Sequence, residues 1–439
     1  MPLLIQNATL LSLSPRSIRR GHLLIDEGQI SAPDASLRTG DYEVFDAGGR
    51  VVMPGNVCAH THLYSALARG MPPPPRIPTN FPEILEYIWW RLDRALDEDS
   101  IRSSAAVGAI DALKAGTTTV IDHHASPSCI EGSLDMLGEE LSRVGIRGVL
   151  CYEVTDRNGS AGRKEGIREN RRFAADGPER FPLMRALFGA HASFTLDEDS
   201  LEEIAGSARD LGVGVHIHAA EDLCDQTDSL RRCGQRVAQR LDRHGVLTDR
   251  VLLAHGVHLD GPEIQLLGAR RAWLAHNCRS NLNNSVGRAP MGDLMKVLGE
   301  RLTMGTDGID EDMFGESRTA YFRLREQSLE GYAEQVTDIL SAGGKLAGKS
   351  FGRSLGTLDP GAVADLVVLD YEPPTPLTTE NLAWHWMFAF SSQLVRDVMV
   401  QGRWVVRDRA LVNVDEEAVR AQATEQAAGL WRRMEVLPV

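Results

Sequence analysis

Apolar and polar positions divide the chain into three parts. Residues 1–50 contain short alternating apolar runs separated by Gly and Asp, a pattern that is typical of β-hairpins. From residue 51 to residue 308, apolar runs alternate with amphipathic segments, and residues 354–412 again show short apolar runs with Gly-containing turns. The pattern therefore predicts a central region of alternating strands and helices between two β-rich ends.

Eight apolar runs in the central region are predicted to be strands. They are VVMPGNVCAH (51–60), TTTVIDHH (117–124), IRGVLCYEV (146–154), LMRALFGAH (183–191), GVGVHIHAA (212–220), RVLLAHGVHL (250–259), AWLAHN (272–277) and LTMGTDG (302–308). Segments 97–116 and 196–212, which lie between runs, have the pattern of amphipathic helices. Eight strands with intervening helices predict an α/β fold of the (β/α)8 TIM barrel type.

The two β-rich ends share a pattern of short apolar runs separated by turns, so we expect them to build one small β-sandwich beside the barrel. The predicted divisions are 1–53 and 354–415 for the β-sandwich domain, 54–353 for the barrel, and 416–439 for a C-terminal helix. The run PPPP at 72–75 indicates a stiff loop after the first barrel strand.

Composition and charge narrow the class of protein. The 439 residues include 43% hydrophobic and 25% charged residues, which is ordinary for a globular protein. A net charge of −14 argues against binding to nucleic acid or to an anionic membrane. The chain start does not resemble a secretory signal, and the six scattered cysteines include no C-x-x-C pair. We therefore expect an acidic cytoplasmic protein with reduced thiols and no membrane span.

Polar residues collect where the predicted strands end, which is where the chemistry of a barrel of this kind is found. Of the 13 histidines, only His22, His244 and His385 lie elsewhere. The residues at the strand ends are His60, His62, Asp122, His123, His124, Glu153, His191, His216, His218, Glu221, His255, His258, His276, Asn277 and Asp307. This concentration predicts a functional site at one end of the barrel.

His60 and His62 are predicted to be two ligands of a metal ion. Side chains alternate along a strand, so two histidines separated by one residue point to the same face. Neutral imidazoles together with a carboxylate suit one divalent ion, with zinc the first choice and iron or manganese the alternatives. Taken singly, a strand-end histidine is more often a hydrogen-bonded core residue than a ligand, so the prediction rests on the residues together.

His218 is the predicted third imidazole ligand, because Glu221 follows it by three residues and could handle protons at a metal-activated water. His216, in the same run, is the competing candidate. Asp307, in the short run MGTDG, is the predicted oxygen ligand. Its alternative role is to cap a turn before Gly308.

The segments PGNVCAHTHL, HIHAAE, LLAHGVHL and MGTDG, in this order, resemble the amidohydrolase superfamily, and in particular its deaminase and chlorohydrolase branch. GTLDPGAVADLVVLD is similar to the family's C-terminal β-sandwich segment, so the likeness covers nearly the whole chain. DHHASPSCIEGSLD, YIWWRLD and GTDGIDEDMF most resemble an aminohydrolase subgroup that is associated with purine breakdown.

The resemblance implies the same ligand set and adds further roles. It makes Glu221 the proton shuttle, makes His255 the residue that orients the hydrolytic water with Asp307, and places His191 near the leaving group of the substrate. Binuclear members carry a carboxylated lysine on the fourth strand, and LMRALFGAH has no lysine, so one ion is expected. The predicted substrate contacts, on the loop after the seventh strand, are Asn277, Arg279 and Asn281. Their alternative is an ordinary polar loop.

The expected reaction is hydrolytic deamination of a purine-like nitrogen heterocycle through a metal-activated water. The expected partners are a small heterocyclic substrate and water, and the family implies a homodimer. Ring opening of a cyclic amide, or dechlorination, could occur at the same site, and a barrel without activity could serve as a scaffold. The roles of His123, His124, His216, His276 and Trp90 stay open, and contact with the substrate or with a partner subunit is one alternative for Trp90.

Overall fold

Both ends of the chain contribute strands to one sheet, and the middle supplies the strands of the barrel. The computed structural model describes residues 1–32, 42–330 and 332–438. The first strands are β1 (Leu3–Leu13), β2 (Arg16–Asp26), β3 (Gln29–Ser31), β4 (Glu43–Asp46) and β5 (Val51–Pro54). The next are β6 (Asn56–Thr61), β7 (Thr117–His124), β8 (Arg147–Tyr152), β9 (Met184–Ala186), β10 (Phe188–Ala192), β11 (Val215–Ala219), β12 (Leu252–His255), β13 (Trp273–His276) and β14 (Leu302–Met304). The last are β15 (Leu366–Leu369), β16 (Val395–Val400), β17 (Arg403–Arg407) and β18 (Ala410–Leu411).

Helices connect the barrel strands and cover them. They are α1 (Phe81–Ile84), α2 (Trp90–Ala95), α3 (Glu98–Lys114), α4 (Ser133–Val144), α5 (Gly159–Arg180), α6 (Glu198–Leu211), α7 (Leu223–Cys233), α8 (Val237–Arg243), α9 (Gly261–Arg270), α10 (Cys278–Asn283), α11 (Met291–Leu298), α12 (Met313–Arg325), α13 (Ala333–Phe351), α14 (Leu382–Phe388) and α15 (Glu416–Glu435). A π-helical turn, Leu85–Trp89, joins α1 to α2. The predicted helices at 97–116 and 196–212 are α3 and α6, and each begins after an aspartate that caps its first turn. None of the described helices is long and apolar enough to cross a membrane.

The barrel consists of eight parallel strand positions. β6 to β9 form one parallel sheet and β10 to β14 form another. β9 and β10 are two pieces of one predicted strand, interrupted at Leu187. Bridges between Thr61 and Asp307 and between Val154 and Ala190 join the two sheets at both seams. The predicted (β/α)8 fold is therefore confirmed, and the ends of all eight strands meet at one rim.

Strands from both chain ends form a separate sheet, the terminal sheet, in the order β18-β17-β16-β15-β5-β1-β2-β3, with β4 beside β1. β5 joins the two ends, since it pairs parallel with β1 and antiparallel with β15. The sheet has its own apolar core, whose members include Ile5, Leu10, Leu23, Ile25, Val52, Leu366, Val368 and Met399. The predicted β-sandwich from both chain ends is confirmed.

The predicted first barrel strand, residues 51–60, is wrong as a single strand. Val51–Pro54 is β5 of the terminal sheet, and Asn56–Thr61 is β6 of the barrel. The break falls at Gly55, where a Cβ would lie 2.1 Å from Thr118 Oγ1, so only glycine allows the chain to pass from one sheet to the other. The domain divisions at residues 53, 353 and 415 stay predictions.

Candidate metal centre and active-site cavity

The four predicted ligands lie together at the barrel rim. One potential ligand atom of each of His60, His62, His218 and Asp307 lies within 4.8 Å of the others. Asp307 Oδ1 is 3.3 Å from His60 Nε2 and 3.0 Å from His62 Nε2, and the Nε2 atoms of His62 and His218 are 3.2 Å apart. Donors about 2.1 Å from a tetrahedral zinc ion lie roughly 3.4 Å from one another, so these separations fit one shared ion.

Each of the three imidazoles is anchored through Nδ1, which turns its Nε2 into the cluster. The anchoring contacts are His60 Nδ1 to His216 Nε2 at 2.9 Å, His62 Nδ1 to the His123 carbonyl at 2.6 Å, and His218 Nδ1 to the His191 carbonyl at 2.8 Å. Among the described residues, His60 Nε2 has no hydrogen-bond partner although it is buried. Ligands held in this way are typical of metal sites, and the donor set suits a divalent ion. His216, the competing candidate, lies behind His60 as its hydrogen-bond partner.

The electrostatics of the cluster favour a bound cation. Burial lowers the pKa of His60 to about 3 and holds the pKa of His218 well below its usual value. Burial alone would raise the pKa of Asp307, but the close contacts of its carboxylate with His60 and His62 hold it well below its usual value. Burial likewise opposes protonation of His62, yet contact with Asp307 raises its pKa to about 9. The cluster therefore takes up one positive charge beside Asp307, which is what a metal ion would supply.

Glu221 and His255 form the second part of the site. Glu221, His255 and Asp307 are grouped within 4.8 Å, and His255 Nε2 is 3.5 Å from Glu221 Oε2. His255 Nδ1 contacts Asn281 Oδ1 at 2.8 Å, so Asn281 fixes the orientation of this ring. Burial, and then the charge of Asp307, raise the pKa of Glu221 well above its usual value. A carboxyl group with a raised pKa is suited to take up a proton and pass it on to a substrate.

The backbone is strained at two residues of the site, His255 and Asp307. His255 has φ 75° and Asp307 has φ 56°, in the left-handed region that residues other than glycine rarely adopt. Strain of this kind costs about 1–3 kcal/mol at each position and clusters at functional sites. Asp307 N donates to the His60 carbonyl at 3.0 Å, which holds its backbone against the first barrel strand.

A cavity with an empty volume of about 670 Å³ opens onto the cluster. Its apolar wall consists of Phe81, Leu85, Trp89, Trp90 and Phe194. Its polar lining includes His62, Asp93, Glu153, His191, His218, Glu221, Asp222, Asp225, Asn284 and Asp307. Flat apolar walls above a polar floor suit a planar heterocycle. The predicted position of His191 facing the substrate agrees with this lining, and Trp90 faces the cavity as well.

The structure places the three predicted substrate contacts outside the cavity lining, and their role stays a prediction. Among the described residues, those that line this cavity do not include Asn277, Arg279 or Asn281. Arg279 is occupied by Glu316 and Asp310, both at 2.7 Å, and Asn281 holds His255. Asn277 is buried, and its side chain finds no partner in the described chain.

The physical reason is that the predicted loop is a helix, α10. Positions four residues apart lie on one helix face, and Ser280 and Asn284 are the pair that reaches the site. Ser280 Oγ donates to Asp307 Oδ2, and Asn284 Nδ2 donates to Glu221 Oε1 at 3.3 Å. Neither residue was singled out from the sequence, although a helical reading of CRSNLNN would have paired them.

Three other histidines, His123, His124 and His276, do not line the cavity. His123 contacts the carbonyls of Ala190 and His216 at 3.1 Å through Nε2. His124 Nε2 contacts Ser126 Oγ at 3.0 Å, and His276 lines a separate small cleft. The cavity lining also includes an ion-pair group that the sequence did not reveal, in which Arg157 contacts both Asp93 and Glu153.

Comparison with known proteins identifies the family. The sequence profile of the amidohydrolase family matches residues 51–405. The 5'-deoxyadenosine deaminase of Methanopyrus kandleri is 31% identical over 428 residues, which cover 94% of this chain and 96% of that protein. The 5-methylthioadenosine/S-adenosylhomocysteine deaminase of Halobacterium salinarum is 31% identical over 430 residues, 95% of each chain.

Solved structures of similar fold include a deaminase and a chlorohydrolase. An adenosine deaminase from Xanthomonas campestris, crystallised with bound zinc, has a TM-score of 0.85 at 25% identity, with 99% of both chains covered. The atrazine chlorohydrolase of Arthrobacter aurescens, in complex with zinc, has a TM-score of 0.83 at 22% identity and covers 97% of this chain and 100% of its own, a likeness of fold alone. The predicted family is confirmed: the chain is a hydrolase of carbon–nitrogen bonds that belongs to the deaminase and chlorohydrolase branch of the amidohydrolase family.

Proposed function

We propose that the protein deaminates an adenine-type purine by hydrolysis. The observation that carries the proposal is the grouping of three buried imidazoles and Asp307, with Glu221 and His255 beside them, at the floor of an aromatic-walled cavity. The relatives that share about 30% of their residues with this chain are named deaminases of 5'-deoxyadenosine, 5-methylthioadenosine or S-adenosylhomocysteine. Dechlorination has weaker support, because the chlorohydrolase likeness extends to the fold alone.

His60, His62, His218 and Asp307 would hold the divalent ion. Such an ion supplies Lewis-acid activation, lowering the pKa of a bound water towards about 7. The donor set favours zinc, with iron and manganese as alternatives that metal analysis would separate. The predicted homodimer and cytoplasmic location stay predictions.

The remaining steps belong to side chains of this chain. His255, fixed by Asn281, orients the attacking water at its Nε2. Glu221 accepts a proton from that water and delivers it to a ring nitrogen of the purine, a transfer that suits a carboxyl group with a raised pKa. The aromatic wall excludes water from the ring faces and holds the ring carbon over the cluster.

A substrate screen with ammonia release as the readout tests the proposal. The purified protein, with its metal content measured, is incubated with adenine, adenosine, 5'-deoxyadenosine, 5-methylthioadenosine, guanine and cytosine. We expect ammonia from at least one adenine compound, loss of that activity after treatment with a chelator, and recovery on addition of zinc. Ammonia release that is equal with and without the ion, or none from any compound, would contradict the proposal.

A further inference from the structure

Glu153 is a second carboxylate beside the metal centre, and the mechanism above gives it no task. It follows β8, is 4% exposed and lines the cavity. Its carboxylate is grouped within 4.8 Å with ligand atoms of His62 and His123, and again with those of His191 and His218. Glu221 belongs instead to the group of His255 and Asp307. Glu153 and Glu221 therefore lie next to different residues of the metal centre.

An arginine and two histidines surround the Glu153 carboxylate. Its Oε2 is 3.3 Å from His123 Nδ1, and its Oε1 is 3.5 Å from a terminal nitrogen of Arg157 and 3.8 Å from His191 Nε2. The cavity thus presents an anionic hydrogen-bond acceptor close to the reacting position.

We infer that Glu153 accepts hydrogen bonds from the leaving amino group and thereby selects amino-substituted heterocycles over chloro-substituted ones. The inference rests on the proposed function, because it assigns a contact within the same reaction. An amino group offers N–H donors to a carboxylate, whereas a chlorine substituent offers only lone pairs, which the negative charge repels.

The preference for an amino over a chloro leaving group should increase as the reaction proceeds, because only the amino group takes up a proton. Water oxygen bonds to the ring carbon, and one water proton passes through Glu221 to the ring nitrogen. The carbon–nitrogen bond then breaks, the remaining hydroxyl proton moves to the departing nitrogen, and ammonia leaves. The departing nitrogen gains positive character, so its contact with Glu153 tightens towards the transition state. Chloride takes no proton and leaves as an anion, which a neighbouring carboxylate disfavours.

Two matched substrate pairs test the inference: adenosine with 6-chloropurine riboside, and adenine with 6-chloropurine. Within each pair the oxo product is the same, and ammonia or chloride reports which group left. We expect Glu153→Gln, which keeps an acceptor oxygen but removes the charge, to lower the amino-to-chloro ratio of kcat/KM by about 5- to 15-fold, the difference between a charge-assisted and a neutral hydrogen bond. Because both substrates are measured on one preparation, the ratio does not depend on the folded fraction.

Asp93→Asn is the matched comparison, since Asp93 also pairs with Arg157 but is not grouped with the predicted ligands. We expect this variant to change the ratio less than threefold. An equal shift in both variants would assign the effect to the Arg157 ion pairs and overturn the inference. Loss of the ion from Glu153→Gln would also overturn it, because Glu153 would then be a ligand.

The possible failures are distinguishable. If the wild-type protein releases ammonia from neither adenosine nor adenine, the proposed function fails for these compounds and the inference falls with it. If the wild-type protein deaminates either one and Glu153→Gln changes both members of its pair equally, only the inference fails.

Discussion

The metal-binding floor of the cavity and its apolar wall are built in different ways. The floor residues lie on or directly after barrel strands, and each imidazole is anchored by a buried partner. Much of the wall comes from α1, the π-helical turn and α2, which contribute Phe81, Leu85, Trp89 and Trp90. A rigid floor fixes the chemistry, whereas a wall on short connecting helices can vary with the substrate. Changes to the floor should therefore lower kcat and metal content, and changes to the wall should raise KM.

The largest effect is expected from removal of a metal ligand. His62→Ala should lose the stoichiometric ion and reduce turnover by more than the roughly 10⁴-fold upper value for loss of an acid–base group. Metal analysis and ammonia release measure the two losses. His22→Ala, a change in β2 of the terminal sheet, should keep both properties. A fully metallated and active His62→Ala enzyme would remove this residue from the centre.

Glu221→Gln is expected to have the next largest effect. It should keep the ion and the thermal midpoint but reduce kcat by about 10²- to 10⁴-fold, because the amide cannot carry the proton. The activity of this variant on a substrate that the wild-type protein deaminates, measured with the metal content, separates proton transfer from metal binding. Unchanged kcat would exclude Glu221 from the reaction.

His216 should influence metal binding through His60 alone. His216→Leu removes the acceptor of the His60 Nδ1 proton and should weaken metal affinity by about 10- to 100-fold. His216→Gln keeps an acceptor in this place and should recover most of the affinity. The comparison is made by titration with a metal-competing indicator, with His124→Gln as an equally buried control that contacts Ser126 instead. Equal losses in the Leu and Gln variants would point to packing rather than orientation of His60.

The smallest effect is expected at the wall. Trp90→Ala should raise KM by about two- to tenfold with little change in kcat, because an aromatic contact contributes about 0.5–1.5 kcal/mol. Steady-state kinetics measures both constants. Trp384→Ala, on α14 and away from the cavity, is the control. A decrease in kcat with unchanged KM would contradict the assignment of the wall to substrate binding.

The difference between residues on barrel strands and residues on connecting segments also explains which features the sequence could predict. Strand-end ligands were predictable because side chains alternate along a strand and parallel strands of a barrel end at one rim. His60, His62, His218 and Asp307 lie together as those two rules require. The anchoring of His60 by His216 was not predictable, because it depends on packing between β6 and β11, which are distant in sequence.

Connecting segments were predicted less well. The contacts of Asn277, Arg279 and Asn281 were drawn from a loop that is in fact α10, so the helical period brings Ser280 and Asn284 to the site instead. The ion pairs of Arg157 were also missed, since nothing local in the sequence shows which carboxylates a long side chain reaches after folding.

The central claim is that residues from three distant strands share one ion. X-ray absorption and anomalous diffraction at the zinc edge, on protein purified without chelator, test it most directly. We expect one ion per chain, bound by His60 Nε2, His62 Nε2, His218 Nε2 and Asp307 at about 2.0–2.2 Å. An ion bound elsewhere, or full deaminase activity in protein shown to hold no metal, would contradict the claim.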